Sequence, residues 1–564
     1  MVQKCRHCSR LFEITEEDLQ FYDKISPVFA KQKYPVPSPT LCPECRQQRR
    51  LTWRNEQSFY SRACDLCKKP VISTYSLENR FPIYCNKCWW GDSWDPKKYA
   101  REFDFSKPFF EQFYAFRQEV PQLAIMNDDG IGSENCAYCQ DYAFGKNCYF
   151  LSGSWYSEDS FYSNSGTNHC RFASDCMDLK NSELVYECMS GGQLYHCAFV
   201  ENSENCNDCF FGFDLKGCSN CFGCVGLRHK QFHLFNQPYS EVEYREKLAV
   251  FGVNTHSGLE RAKKQYWEWM LQFPRKNMIL KNCEACEGSY LYDCRHSYGF
   301  MAANADHCKF IYQTDTANYS YDLTTSGHNQ WCYEGDTPDD SYMALFTLWC
   351  WKSKNILYSD NCHSSGSLFG CISMHRAEHC IFNKQYTTEE YEQLAGRIIE
   401  HMKQTGEWGE FFPSAYSAYG YNESVADEYF PLDKETILQK GWRWREPDPK
   451  EYLPQKVTIP DAIEQVSEAI LKEIFACETC GHNFRIIAKE LDFYRKMGLP
   501  LPLLCAHCRH KARLKRTTAY QLWDRLCAKC QKPIKTAYAP ERPEIIFCEE
   551  CFMANGVARR GGVK

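Results

Sequence analysis

Between residues 136 and 382 small apolar clusters recur about every twelve residues. In the later stretch they sit at Cys332, Leu345, Ile356 and Leu357, Leu368 and Phe369, and Cys380 to Phe382. A looser version of the same beat runs earlier through Cys136, Cys148, Phe161, Cys170, Tyr195 with Cys197, Cys209 and Cys221. Gly, Ser, Asn and Asp fill the intervals, and these are the residues that turn a chain. Short strands punctuated at such regular distances predict stacked rungs of a β-solenoid. One rung cannot bury its own apolar face, whereas a stack can, and small thiols with flat aromatics fill a narrow interior. The central cysteines are therefore read as buried hydrophobes. The alternative, further metal sites at Cys136/Cys139 and Cys283/Cys286, is disfavoured because their neighbours follow the rung pattern. Disulfide ladders would need an oxidising compartment.

The centre is also duplicated. NCAYC (Cys136, Cys139) matches NCEAC (Cys283, Cys286), and FGCVGLRHKQFHLFNQPYSEVEY matches FGCISMHRAEHCIFNKQYTTEEY, both at an offset of 147. Each half ends in a capping box, Ser240-x-x-Glu243 or Thr387-x-x-Glu390, which predicts a helix closing the end of the stack. A third helix is expected from Asp461-x-x-Glu464, with Ile463, Val466, Ile470 and Ile474 on one face. The aromatic-rich stretch from 415 to 449 lacks a clear period and reads as an extended strap, with Pro454 and Pro460 marking a linker. The expected order is a tandem metal module (1–95), a linker with a helix (96–129), solenoid halves at 130–275 and 280–410, strap and linker (411–460), then a helix and a second tandem module (461–564).

Those end modules rest on cysteine spacing. CxxC pairs occur at Cys5/Cys8, Cys42/Cys45, Cys64/Cys67 and Cys85/Cys88, and again at Cys477/Cys480, Cys505/Cys508, Cys527/Cys530 and Cys548/Cys551. From Cys42 onward the two sets are related by an offset of 463, and Phe21-Tyr22, Arg46, Arg62 and Tyr75 match Phe493-Tyr494, Arg509, Arg525 and Tyr538. A CxxC knuckle directs two thiolates at one ion, and two knuckles complete a tetrahedral four-sulfur zinc site with no open position. Zinc binding of roughly 10–16 kcal/mol supplies folding energy that modules this small cannot draw from packing. The prediction is about four structural zinc ions, paired sequentially (5/8 with 42/45, 64/67 with 85/88), although an alternating cross-brace uses the same residues. His7, His482, His507 and His510 lie beside ligands and are read as surface or supporting residues. Redox dithiols fit poorly, because they do not come paired at matching spacings.

CRHCSRLFEITEEDLQFYDK…LCPECR and CETCGHNFRIIAKELDFYRK…LCAHCR resemble the small bacterial "probable zinc-ribbon" treble-clef domain over about residues 1–55 and 475–516. The resemblance implies a zinc-binding fold and little about activity. The overall layout also resembles long cysteine-rich bacterial proteins sometimes labelled CaiB/BaiF CoA-transferases, yet no residue here matches that enzyme family. The fold class expected is thus mainly β: a duplicated short-rung solenoid flanked by small α+β tandem zinc ribbons.

Composition and charge narrow the partners. The 564 residues include 37 Cys, 15% aromatics and 24% charged residues, an ordinary folded composition apart from the thiols. No apolar run of about 18 residues exists, and the start MVQKCRHCSRLF carries no apolar signal region, so many reduced cysteines in a cytoplasmic protein are expected. Residues 1–100 hold 17 Lys and Arg against 11 Asp and Glu, residues 477–564 hold 17 against 8, and the chain as a whole has a net charge of −6. The basic ends suggest phosphate contacts through Arg46, Arg49, Arg50 and Arg54, and through Arg509, Lys511, Arg513, Lys515 and Arg516. Each four-thiolate site carries about −2, however, and these cations could equally screen their own thiolates or meet the acidic middle. No phosphate loop, GxSxG elbow, HExxH helix or complete GxGxxG is present. The reading is a non-enzymatic zinc-binding scaffold for protein or nucleic acid, with no membrane partner and no small-molecule cofactor; a nucleic-acid binder is the alternative and an enzyme the distant one.

Overall fold

A computed structural model describes all residues except 127–131, 305–308, 310–316, 319–320, 325–326, 328, 331, 336–339, 450, 519 and 561–564. Cys308, one of the central cysteines, lies outside the described residues. The chain is mainly β, with a β-solenoid of about 18 turns in its centre and small cysteine-rich modules at its ends. It divides into two compact units: Met1–Ile125 with Met278–Glu446, and Met126–Asn277 with Pro447–Lys564. Each unit joins one solenoid half to one end module, and in both cases the module comes from the far end of the chain.

Both halves are built by the same backbone rule. Most parallel strands pair with residues twelve positions on, so Ala344, Ile356, Leu368 and Cys380 stand in one ladder, and Cys209, Cys221 and His233 in another, while Leu280 pairs eleven on with Leu291 and Glu158 thirteen on with Arg171. Within the beat of twelve lies a finer period of three. Asn135, Tyr138, Asp141, Phe144, Asn147 and Phe150 all have φ between 52° and 58°, and the series continues along both halves. Left-handed backbone costs a non-glycine residue about 1–2 kcal/mol. The ladder offsets it: Asn147 N–H donates to Glu134 O of the previous coil (2.9 Å), while Lys146 N–H donates to Ser157 O of the next (3.1 Å). Four such corners close each turn.

The residue after a corner points inward, and among the described residues that is where central cysteines such as Cys188, Cys224 and Cys371 fall. Cys188 Sγ donates to Tyr186 O and to Cys197 O of the next coil, both at 3.5 Å. Cys224 and Cys371 repeat the arrangement. Burial pushes the Cys170 and Cys332 thiols up to about 12, which keeps them protonated and able to donate. A thiol is thus both a small apolar filler and a weak donor to carbonyls that the stack would otherwise leave half-satisfied. Cys136, Cys139, Cys283 and Cys286 occupy the same kind of position, with Sγ at 3.2–3.4 Å from the carbonyl two residues back.

The predicted end helices form at Glu241–Ala249 and Thr388–Thr405, each with a complete capping box from Ser240/Glu243 or Thr387/Glu390. The helix expected after Asp461 does not form. Two 3₁₀ turns, Ile463–Gln465 and Glu468–Lys472, replace it, although Ile463, Val466 and Ile470 are buried as anticipated. Tertiary bonds take over its cap: the Asp461 carboxylate accepts from Ser257 N–H and Oγ–H (both 3.1 Å), and Asn254 O accepts Ile463 N–H (3.1 Å). The strap is also less extended than expected. Short helical segments at Ser414–Tyr416, Tyr421–Glu423, Val425–Tyr429 and Lys434–Gln439 pack Tyr421, Val425 and Ile437 against Leu51. Among the described residues no helix is long and apolar enough to cross a membrane.

Candidate metal centres and their arginine helices

The sixteen terminal cysteines gather into four groups: 5/8/42/45, 64/67/85/88, 477/480/505/508 and 527/530/548/551. These are the sequential sets, not the alternating ones. Within each group all four sulfurs lie within 4.8 Å of one another. Cys8–Cys42, Cys67–Cys85, Cys480–Cys505 and Cys530–Cys548 Sγ···Sγ distances are 3.6, 3.9, 3.7 and 3.8 Å. Metal–sulfur bonds of about 2.3 Å in a tetrahedron require edges of about 3.8 Å, so the donor set fits a four-thiolate ion. A disulfide of about 2.05 Å does not match this spacing.

In each group the backbone favours negative charge on the first sulfur, while burial and neighbouring thiols raise others, Cys42, Cys88, Cys508 and Cys551 among them. Burial alone raises the Cys5 thiol, but the amides of Cys8, Cys42 and His7 outweigh it and hold it at about 7. The same contest leaves Cys64 at about 7, and Cys477 and Cys527 at about 6. The third cysteine of a group stands at a helix N-terminus: Cys42 precedes Pro43–Leu51, Cys85 precedes Asn86–Trp89, and Cys505 precedes Ala506–Leu514. The positive end of the helix dipole faces the thiolates. Cys136/Cys139 and Cys283/Cys286 join no such group among the described residues, and neither do the four neighbouring histidines. His482 stacks on Tyr452, His7 lies beside Lys440, and His510 is buried.

The arginines that follow the knuckles turn inward to the acidic middle, one of the destinations the sequence leaves open, and not to a phosphate-facing surface. In the first unit Arg46 Nε lies 2.8 Å from Asp322 Oδ2, with Arg50 Nη1 3.7 Å from the other oxygen. Arg49 bridges Glu334 and Glu410, both at 2.8 Å. Arg54 pairs with Glu56 and covers the Trp349 ring at 4.3 Å. In the second unit Arg509 Nε lies 2.8 Å and Arg513 Nη1 2.6 Å from Asp175, while Arg516 reaches Glu187 (3.0 Å) and Glu201 (3.1 Å). Arg50 and Asp322 are both 0% exposed, so bulk phosphate does not reach them. Redirecting one such arginine outward would leave a buried carboxylate unpaired, at about 3–5 kcal/mol. Of the nine candidate phosphate contacts, Lys511 and Lys515 are exposed.

The acidic partners escaped the sequence reading, although the signal was there. Asp175 and Asp322 are 147 residues apart, as are Glu187 and Glu334, and each Glu follows its Asp by one coil. Other contacts recur between matching residues of the two units. Arg46 and Arg509 each donate to the carbonyl five residues back, Leu41 O and Leu504 O. Tyr22 meets Tyr333 edge-on at 5.0 Å, and Tyr494 meets Tyr186 edge-on at 5.5 Å.

No protein-family description matches the chain, and no curated protein matches it. Among solved structures, a putative acetyltransferase from Desulfovibrio desulfuricans G20 is 7% identical, covering 49% of this chain and 80% of that one, with a TM-score of 0.09. At that score the likeness carries no argument.

Proposed function

We propose that the protein is a non-enzymatic cytoplasmic scaffold whose four metal centres hold structural zinc in tandem treble-clef ribbons, and whose solenoid displays those ribbons to a protein partner. The observation that carries the reading is the gathering of four thiols in each group within 4.8 Å of one another, with one edge of each at 3.6–3.9 Å. Four sulfurs around one Zn²⁺ leave no position for water or substrate, so the ion's contribution is to lock two knuckles together. The arrangement of the arginines supports the same reading. The charges that a phosphate binder would present are used in holding module to solenoid, which leaves nucleic acid a weaker alternative resting on Lys511 and Lys515.

Elemental analysis of the purified full chain, with absorbance at 260 nm recorded on the same sample, tests this. About four zinc per chain without nucleic acid is expected. Metal-free folded protein, or RNA retained at low salt and lost at high salt, would overturn the reading in its first or second part. Turnover of an acyl-CoA by the pure protein would overturn its non-enzymatic part.

A further inference from the structure

The N-terminal module is longer than its C-terminal counterpart in one place, and the extra length builds a roof. Sixteen residues separate Ile25 from Cys42, whereas seven separate Met497 from the matching Cys505. The added residues form a hairpin, Val28–Phe29 antiparallel to Gln32–Lys33. Its central residues, Ala30 and Lys31, have φ of 46° and 65°, the left-handed pair that Asn-Gly usually supplies in so tight a turn. Neither side chain favours that backbone, and the contact that holds the tip comes from outside the hairpin. Glu392, on the capping helix Thr388–Thr405, accepts Ala30 N–H through Oε2 at 2.9 Å.

Under the hairpin lies a cavity of about 160 Å³. Val28 and Phe29 wall it from the hairpin, Leu345 and Leu357 from two successive coils, and Tyr391 and Glu392 from the capping helix. This is room for about one six-membered ring, since an apolar cavity of about 150 Å³ accepts benzene. Aromatic edges line part of the wall: Phe29 meets Tyr391 edge-on at 5.9 Å, and His379 meets Tyr391 edge-on at 5.8 Å. Two polar groups there are unspent. The Tyr391 hydroxyl is buried with no hydrogen-bond partner. The Glu392 carboxylate makes no ion pair among the described residues, and Ala30 N–H occupies one of its two oxygens.

The other solenoid half lacks this combination. At the offset of 147, Arg245 stands where Glu392 does, and it pairs with Glu241 at 2.7 Å. Phe232 stands for His379 and packs on Tyr244, the counterpart of Tyr391, at 5.7 Å. The matching place thus has neither the hairpin nor the free carboxylate.

We propose that the cavity under the hairpin is a binding site for a small organic amine, one flat ring carrying one ammonium group. The ring sits among Val28, Phe29 and Leu357, where burial of apolar surface supplies affinity. The ammonium lies against Glu392, an opposite charge in surroundings of reduced dielectric, and the Tyr391 hydroxyl accepts one of its N–H bonds. Glu392 then serves roof and ligand at once, so occupation ties the hairpin to the capping helix. The site is independent of the scaffold reading and of which metal fills the knuckles.

Calorimetry and ligand-observed NMR on the full chain as purified, with benzylamine as the probe, test it. Benzyl alcohol has nearly the same shape without the charge, and benzoate reverses the charge. Benzylamine is expected to bind saturably with a Kd of about 1 mM or tighter. Benzyl alcohol should bind at least ~10-fold more weakly, and benzoate not at all. Glu392→Gln keeps an oxygen for Ala30 N–H and should erase the preference for amine over alcohol. Val28→Trp fills the cavity from a residue that is 58% exposed, so the core is undisturbed; it should weaken benzylamine binding at least ~10-fold. The proposal is overturned if the wild-type chain binds no benzylamine saturably, or binds the alcohol as well as the amine. It is equally overturned if either variant, folded by circular dichroism, keeps the wild-type profile. The wild-type comparison needs no variant, so misfolding of one cannot shield the proposal.

Discussion

The two units solve one docking problem with different charges. Both set paired arginines on a buried aspartate, Arg46 and Arg50 on Asp322 or Arg509 and Arg513 on Asp175. They diverge where the module's first helix meets the solenoid. In the first unit Asp18 faces the ammonium of Lys309. In the second, Glu490 stands at the matching position, and the matching solenoid residue is Tyr162, whose hydroxyl donates to Glu490 Oε2 at 3.2 Å. Burial raises the Asp18 carboxyl, but Lys309 and the Thr15 amide outweigh it and leave it lowered. Burial raises Glu490, and with Asp175 adding to it and Arg509 opposing it the carboxyl is pushed up to about 7. Both carboxyls meet a cation, Lys309 or Arg509, but Glu490 is the more deeply buried and has Asp175 nearby, so it keeps its proton far longer. The contact is held in place by geometry that both units share, while its sensitivity to pH follows the burial and the neighbouring charges of each carboxyl.

The largest test of that comparison is loss of a knuckle. Replacing Cys508 or Cys45 by Ser removes one of four thiolates, and a structural site is worth about 10 kcal/mol or more. Each variant should lose one metal ion per chain and release protection from hydrogen exchange in its own unit only. Equal loss of protection in both units would break the picture of two independent clasps.

Next in size are the buried aspartates. Asp175→Ala and Asp322→Ala each strand two buried arginines, and each is expected to cost about 3–5 kcal/mol in urea unfolding. If either costs under ~1 kcal/mol, the level of an exposed pair, the two aspartates are not equivalent.

The pH response separates the units. Glu490 has a raised folded value, so the folded state holds the extra proton between the ordinary carboxylate range and about 7. The second unit should therefore lose stability as pH rises from about 4.5 to 7, by about 3 kcal/mol at most. Asp18 is lowered, so the first unit keeps its contribution above the ordinary carboxylate range and loses it as pH falls below that range. Besides Tyr162, Glu490 faces Tyr494, the Ile487 amide, Arg509 and, through Arg509, Asp175. Glu490→Gln should abolish the slope, and Tyr162→Lys should remove it by giving the second unit the cation of the first. A slope that survives both variants assigns it to another group. Smallest are the caps: Ser240→Ala and Thr387→Ala should each cost about 1 kcal/mol, measurable as matched small decreases in midpoint.

Much of this was legible in the chain. Periodicity of twelve, punctuated by turn residues, gave the solenoid, because a parallel stack repeats its environment once per coil. CxxC spacing gave the metal groups, because two thiols two residues apart converge on one point. The finer period of three was hidden: Phe, Tyr, His and Ser occupy left-handed corners where Gly and Asn would have announced them, and ladder bonds, not residue preference, hold those corners. The helix after Asp461 failed for a related reason, since its capping carboxylate is taken by Ser257. The arginines left phosphate and the acidic middle both open, because a basic helix looks the same in sequence whether its charges face water or a buried aspartate.

The sequence by itself determined the repeating elements and the thiol donor sets, since both follow from local spacing that no distant contact can alter. Only tertiary structure decided which module sits on which half, and that the basic helices point inward. That choice depends on single buried carboxylates hundreds of residues away, whose role exists only once the coils are stacked and water is gone from around them.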